Sequence, residues 1–254
     1  MNDTYKKYIE NACEIAREAG QIIMGYVGDG FSTMSKADSS PVTEADIAAN
    51  DYIIKKLSEN ISDIPLITEE DESSRDHNHD IFFLIDPLDG TKSFVRGEDE
   101  FTVNIALIEN KMLVFGVIYC PAQRVLYYGM DGYGSYKQIG ENSPMEIKTR
   151  EVPAEGVTVV RSRSSFSEKT TAYLDTLNVH EIIKSSSSVK LCLIAEGKAD
   201  IYPRFGRTME WDIAAGHAIL KAAGGDIKTA SGSEFLYGKK GFENPEFIAF
   251  GKIK

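Results

Sequence analysis

The sequence predicts an α+β chain in which an antiparallel-sheet N-terminal half, residues 1–153, precedes a smaller mixed α/β half, residues 154–254. Three observations predict it. Residues 101–109, 113–120 and 125–130 are apolar runs of strand length separated only by Asn110-Lys111 and by Pro121-Ala122-Gln123, and such short connections join antiparallel neighbours. Beyond residue 156 the apolar runs alternate with helical patterns, as in an α/β unit. Between the two regimes, Arg150-Glu151-Val152-Pro153-Ala154-Glu155-Gly156 interrupts the apolar pattern and marks the boundary.

In chain order, Ile9, Ala12, Cys13, Ala16, Ala19, Ile22 and Ile23 recur at helical spacing over residues 5–26, and Gly28, Gly30 and the polar run 32–40 follow as a loop. Thr43-Glu44-Ala45-Asp46, with Pro41 just ahead of it, has the form of a capping box and opens a second helix through Ile47, Tyr52, Ile53 and Leu57. Ile64-Pro65-Leu66-Ile67 is a short strand leading into the acidic Thr68-Glu69-Glu70-Asp71-Glu72 and a polar loop to Asp80. Residues 81–85 are uninterrupted apolar, which suits a strand covered on both faces, and Pro87 with Asp89-Gly90 ends it by turn chemistry. After the three hairpin strands, Gly132, Gly134 and Tyr136 suggest a further edge. The second half reads as strand 157–160, helix 168–177, strand 181–183, helix 189–196, strand 199–202, helix 212–223 and two short closing strands.

With 254 residues, 42% of them hydrophobic and 26% charged, the chain can bury a large globular core in one domain or two. Its 28 basic against 39 acidic residues give a formal charge of -11, which disfavours a nucleic-acid polymer as partner. A small phosphorylated ligand is not excluded, because a local cluster of cations and amides acts at short range. Cys13, Cys120 and Cys192 lie in apolar contexts without CxxC spacing, as expected of reduced thiols in the cytoplasm. The N-terminal pattern lacks the apolar centre of a signal peptide, and no stretch approaches the ~18 apolar residues of a transmembrane span. Peripheral contact with an inner membrane is left open.

The chemistry concentrates where the apolar run 81–85 stops in Asp86-Pro87-Leu88-Asp89-Gly90-Thr91. Two carboxylates so close repel unless a cation lies between them, and with the Leu88 carbonyl they form a hard oxygen set that suits magnesium. An ordinary strand followed by an Asp-Gly turn is the competing reading. Glu69 also ends a strand, so its turn can face the same cleft, although a solvated acidic loop accounts for it equally. Asp212 falls in the first turn of a small-residue helix, a position that the helix dipole alone would favour. The four histidines, His77, His79, His180 and His217, form no metal-ligand pattern.

Together, Pro41-Val42-Thr43-Glu44-Ala45-Asp46, Thr68-Glu69-Glu70-Asp71, Asp86-Pro87-Leu88-Asp89-Gly90-Thr91 and Trp211-Asp212-Ile213-Ala214-Ala215-Gly216 resemble, in order and spacing, the inositol monophosphatase superfamily of lithium-sensitive, magnesium-dependent phosphomonoesterases. The resemblance runs almost the length of the chain and implies a layered αβαβα sugar-phosphatase fold. Within that superfamily, residues 100–108, 186–197 and 202–206 are most similar to the CysQ-type 3'(2'),5'-bisphosphate nucleotidases. The resemblance implies two or three magnesium ions held by Glu69, Asp86, the Leu88 carbonyl, Asp89 and Asp212, and a water oriented and deprotonated by Asp46 and Thr91. It implies a substrate contacted by Gly90, Thr91 and Asp212, with Ser187, Lys190 and Arg204 on the phosphate that is not cleaved. One departure stands out: Ser162-Arg163-Ser164-Ser165 resembles a Ser-Arg-Ser-His element near the nucleotide, but position 165 is serine.

The implied reaction is direct hydrolysis, without a phosphoenzyme, of adenosine 3',5'-bisphosphate or its sulfated relative, which connects the chain to sulfur metabolism. Its small-molecule partner would be a phosphorylated nucleotide and its assembly a monomer or homodimer. An inositol or sugar monophosphatase is the alternative enzyme. A ligand sensor that had lost turnover is disfavoured, because every ligand and water-orienting position holds a competent residue.

Overall fold

The computed structural model describes residues 3–28, 33–35, 41–61, 63–75, 79–163 and 167–252. Helix α1 (Asp3–Gly25) buries Ile9, Ala12, Ile15, Ala16, Ala19 and Ile23, a stripe at three- and four-residue spacing. Strand β1 (Thr33–Ser35) pairs antiparallel with β2 (Pro41–Thr43), so the run expected as a loop contains one strand of a short ribbon. Helix α2 (Glu44–Asn60) starts as expected: the Thr43 side chain accepts from the Asp46 N–H while Asp46 accepts from the Thr43 N–H.

The chain then builds a seven-stranded sheet in spatial order β3 (Leu66–Thr68), β4 (Ile81–Asp89), β5 (Thr102–Glu109), β6 (Met112–Cys120), β7 (Val125–Met130), β8 (Gly134–Ile139) and β9 (Met145–Glu146). Short helix α3 (Thr91–Val95) leaves the end of β4. Only β3 and β4 run parallel; every other neighbour is antiparallel. The remaining chain supplies β10 (Val157–Ser162), α4 (Glu168–Leu174), β11 (Val179–Ser185), α5 (Val189–Ala195), β12 (Ile201–Arg204), α6 (Glu210–Ala222), β13 (Asp226–Thr229) and β14 (Phe247–Phe250). Its five strands form a mixed sheet ordered β11-β10-β12-β14-β13. Helix α4 stops short of the expected 168–177 because the next residues tighten into three-residue turns, with Thr176 and Leu177 donating to the Tyr173 and Leu174 carbonyls.

The period of two in the central strands decides the layering. Phe83 and Ile85 pack with α1 and α2, whereas Phe82 and Leu84 face α5, α6 and the second sheet. A strand buried on both faces must be apolar at every position, which is why 81–85 reads as an unbroken run. The outer face of the five-stranded sheet is covered by α4 through Val159, Leu174 and Ile201. The order is therefore α1/α2, seven-stranded sheet, α5/α6, five-stranded sheet, α4, the layered αβαβα arrangement expected. The interruption at 150–156 lies between β9 and β10, and the core between the two sheets draws on residues from both sides of it.

Two glycines bring α6 against the seven-stranded sheet. A Cβ on Gly116 would lie 2.2 Å from the Ala215 carbonyl oxygen, and one on Gly129 would lie 2.9 Å from the Ile219 Cα. Backbone thus rests on backbone, and α6 has one seat on the sheet.

One expectation fails at the strand that matters most. Pro87 does not end β4; the strand continues to Asp89, and its register with β5 shifts, Asp86 facing Asn104 and Asp89 facing Thr102. Three steps along β4 thus answer two along β5, which is a bulge, where proline's missing N–H does no harm. The bulge has a geometric consequence. In a regular strand, residues three apart point to opposite faces, and the extra residue turns Asp86 and Asp89 toward the same side.

Candidate active site

Each acidic residue is delivered by a different device. Glu69 directly follows β3, and its N–H donates to the Ile85 carbonyl at 3.1 Å, extending the parallel ladder so that Glu69 lies beside the end of β4. The preceding residue is pinned as well, the Thr68 hydroxyl donating to Asn50 Oδ1 of α2 at 2.6 Å. Asp86, 1% exposed, accepts the Leu88 N–H at 3.1 Å within the bulge. Asp212 occupies the first turn of α6, and its Oδ2 accepts the Met209 N–H at 2.8 Å. Glu69, Asp86 and Asp212 each offer a carboxylate oxygen, all within 4.8 Å of one another. Asp89 lines the same cleft, and its Oδ2 accepts from the Ser188 hydroxyl at 2.8 Å.

Crowding these acids has an electrostatic cost. Burial pushes the Asp212 carboxyl well above the usual range, and the neighbouring Glu69 and Asp89 charges push it further. Burial also raises Asp89; the Lys190 charge and the Ser188 hydroxyl oppose the rise, and Glu69 adds to it. A cation among these oxygens reverses both effects. The donor set, carboxylates with the Leu88 carbonyl at the bulge, contains only hard oxygen, which fits a divalent cation of the magnesium type.

Beside the acids, Asp46 is 1% exposed and its two oxygens are divided. Oδ2 accepts both the Thr43 N–H at 2.7 Å and the Thr43 hydroxyl at 2.6 Å. Oδ1 accepts from the Thr91 hydroxyl at 3.2 Å, which also lies 3.0 Å from the Leu88 carbonyl. Gly90, just before Thr91, has φ +89, and a Cβ there would lie 2.9 Å from the Glu100 carbonyl oxygen, so the turn requires glycine.

On the far side of Asp89 and Asp212, a second chamber is lined by Ser162, Ser187, Lys190, Tyr202, Arg204 and Thr208. Lys190 is 8% exposed, lies 5.5 Å from the Tyr202 ring centroid and donates to the Ser187 carbonyl. Ser187 has φ +50, a strained conformation for a residue with a side chain, and its buried hydroxyl has no hydrogen-bond partner among the described residues. Arg204 donates through Nη1 to the Ser162 hydroxyl at 3.2 Å and through Nη2 to the Arg207 carbonyl at 2.9 Å. The structure therefore brings the expected acids, Asp46 with Thr91, and Ser187, Lys190 and Arg204 around one connected cleft. Ser164, Ser165 and His77 lie outside the described residues.

Sequence reasoning passed over several participants. Ser188 accepts from Asn104 Nδ2 at 2.7 Å and lies 2.8 Å from both Asp89 Oδ2 and the Asp212 carbonyl, so its one proton is shared between β4 and α6. Asn104 carried a usable signal as a lone amide in the apolar run 102–109. Glu100 accepts the Ser186 N–H at 2.6 Å and two Arg163 donors at 3.1 and 2.7 Å, tying the loop before β5 to the Ser187 turn. No local pattern announces that contact.

This layered fold with an acidic cleft defines a class. A model of the inositol monophosphatase family matches residues 4–247, and the chain belongs to that family. Among curated proteins it is 43% identical over 246 residues to the 3'(2'),5'-bisphosphate nucleotidase CysQ of Salmonella typhimurium, covering 94% of this chain and 98% of that protein. To the CysQ of Escherichia coli strain K12 it is 41% identical over 246 residues, with the same coverage. Among solved structures, CysQ from Bacteroides thetaiotaomicron, described as a bacterial member of the inositol monophosphatase family, matches at TM-score 0.87 and 37% identity over 100% of both chains. The Thermotoga maritima IMPase matches at TM-score 0.81 over 96% of this chain and 92% of that one, at 24% identity, a likeness of fold alone.

Proposed function

We propose that the chain hydrolyses the 3'-phosphate of adenosine 3',5'-bisphosphate to give AMP and phosphate, with magnesium as cofactor and 3'-phosphoadenylyl sulfate as a second substrate. The observation that carries this reading is the junction of two unlike chambers. Asp89, Ser162, Ser187, Lys190 and Asp212 line both, one chamber holding the Glu69 and Asp86 carboxylates, with Lys92, Arg163 and Arg207 also on its lining, and the other running to Arg204 and Tyr202. A monophosphate needs only the acidic chamber. The cationic one suits a second anionic group on the same molecule, and the CysQ likeness supports that choice.

Glu69, Asp86, the Leu88 carbonyl, Asp89 and Asp212 would hold two or three magnesium ions, which supply Lewis-acid charge toward the phosphoryl oxygens and acidify water. The protein's own part is orientation. Because Thr43 saturates Asp46 Oδ2, the Thr91 proton is drawn toward Asp46 Oδ1 and the Leu88 carbonyl. Thr91 Oγ1 then accepts a hydrogen bond from the attacking water and turns that water's lone pair toward phosphorus. The water oxygen–phosphorus bond forms as the phosphorus–O3' bond breaks, and the proton that the water gives up balances the one that the ribose oxygen takes. Lys190, Arg204 and the Ser187 hydroxyl, which has no partner among the described residues, hold the 5'-phosphate meanwhile.

The test is phosphate release with magnesium from adenosine 3',5'-bisphosphate, inositol 1-phosphate and fructose 1,6-bisphosphate at equal concentration, with and without lithium. Strong preference for the nucleotide is expected, together with lithium inhibition. Preference for inositol 1-phosphate would keep the acidic chamber's chemistry and discard the role of the cationic one.

A further inference from the structure

The cationic chamber contains a donor that neither the sequence nor the family likeness singled out. Thr208 lines it, two residues after Gly206 and just before α6. Its hydroxyl is oriented by Asn244, which is 8% exposed. Asn244 Nδ2 donates to the Met209 carbonyl at 2.6 Å, and a carbonyl can only accept, so the amide nitrogen must face this segment. The second hydrogen of the same nitrogen points to Thr208 Oγ1 at 3.2 Å, and the Asn244 N–H donates to the Thr208 carbonyl at 2.9 Å. Thr208 Oγ1 is thereby fixed as an acceptor toward Asn244, and its own proton has no acceptor among the described residues. Ser162 is placed alike, accepting from Arg204 and having no acceptor of its own there.

The geometry points to Thr208 as a specificity-determining residue that donates its hydroxyl proton to the anionic group in this chamber, and to Asn244 as the positioning residue that fixes it. Around that group stand the charges of Lys190 and Arg204 and the hydroxyl donors Ser162, Ser187 and Thr208. Among the described residues, the only carboxylates lining the chamber, Asp89 and Asp212, are at its junction with the acidic side. Such a lining matches a phosphate ester oxygen set, which only accepts, and penalises a neutral hydroxymethyl group in its place. The inference rests on the reading of this chamber as the site of the uncleaved phosphate.

The experiment compares adenosine 3',5'-bisphosphate with adenosine 3'-monophosphate, which lacks the 5'-phosphate. Thr208→Val keeps the side chain's shape and removes the proton. It is expected to raise KM for the bisphosphate roughly tenfold or more, as for a hydrogen bond to a charged group. The KM for the monophosphate and kcat for both substrates should stay within about twofold, and Thr208→Ser should restore the bisphosphate KM. Asn244→Ala should repeat the bisphosphate effect in weaker form and add little to Thr208→Val, since both act on one proton. If Thr208→Val does not fold, Thr208→Ala carries the same comparison. An unchanged bisphosphate KM, or an equal loss on both substrates, overturns the assignment of Thr208. A wild-type protein that handles the two nucleotides alike instead overturns the reading of the chamber, so the two failures are distinguishable.

Discussion

Replacing Lys190 by methionine removes one charge and the hydrogen bond that the ammonium donates to the Ser187 carbonyl. The Lys190 ammonium lies 5.5 Å from the Tyr202 ring centroid at a position that is 8% exposed, and a methionine stem can cover the same ring. Two unit charges about 4 Å apart interact by ~4 kcal/mol at an effective dielectric near 20. Part of that is spent desolvating the ammonium and the phosphate, which leaves roughly 2 kcal/mol, or about a 30-fold weaker hold on the 5'-phosphate, consistent with hydrogen bonds to charged groups. Initial-rate kinetics on adenosine 3',5'-bisphosphate should therefore give a KM about 30-fold higher for Lys190→Met, with little change on adenosine 3'-monophosphate. The lysine also faces the acids, because its charge opposes the rise of the Asp89 carboxyl. If that were its main duty, kcat would fall for both nucleotides and KM would not separate them. That pattern would refute the reasoning.

Thr91→Val and Asp46→Asn should each lower kcat by roughly 10²–10⁴, the span of general acid–base assistance, while magnesium binding measured by calorimetry stays within severalfold; turnover within tenfold of wild type would end their assigned role. Gly116→Ala drives a methyl group into the Ala215 carbonyl, backbone that cannot swing aside, and should cost about 1–3 kcal/mol in urea unfolding; a neutral result would mean that α6 is not seated as described. Glu100→Gln tests an acid limb. Burial alone would raise the Glu100 carboxyl, but Arg163 and the Ser186 N–H outweigh it and hold the group below its ordinary value of 4.5. A lowered folded value stabilises above the unfolded value and is lost as pH falls through the folded one. The wild type should thus exceed Glu100→Gln by no more than about 1 kcal/mol above pH ~5, as for an exposed pair, and the gap should close in acid; a gap that widens in acid would reverse the sign.

What the sequence made legible was local. The capping box at Thr43 and Asp46 involves residues three apart, and an unbroken apolar run can be read without knowing what covers it. The same residues proved to hold the Thr91 hydroxyl, so a local signal happened to mark a long-range partner. Pro87 was misread as a stop because a bulge exists only relative to the neighbouring strand, and β5 lies beyond the turn. Ser188 was invisible for a stronger reason. Its donor is Asn104, 84 residues earlier, and its acceptors come from β4 and α6, so nothing in a serine-rich stretch distinguishes it from its neighbours. The Thr208 and Asn244 pairing, 36 residues apart, was hidden in the same way.

The seat of α6 on Gly116 and Gly129 has an evolutionary consequence. Glu69, Asp86 and Asp89 hang from the seven-stranded sheet, whereas Ser162 and Arg204 end strands of the other sheet. Helix α6 is locked to the first sheet by backbone contact and brings Asp212 with it, so substitutions on the strands of the second sheet need not move the acids out of position. One ancestral hydrolytic engine can in this way be refitted for new phosphate esters by changing the residues on one wall, while the other wall stays as it was.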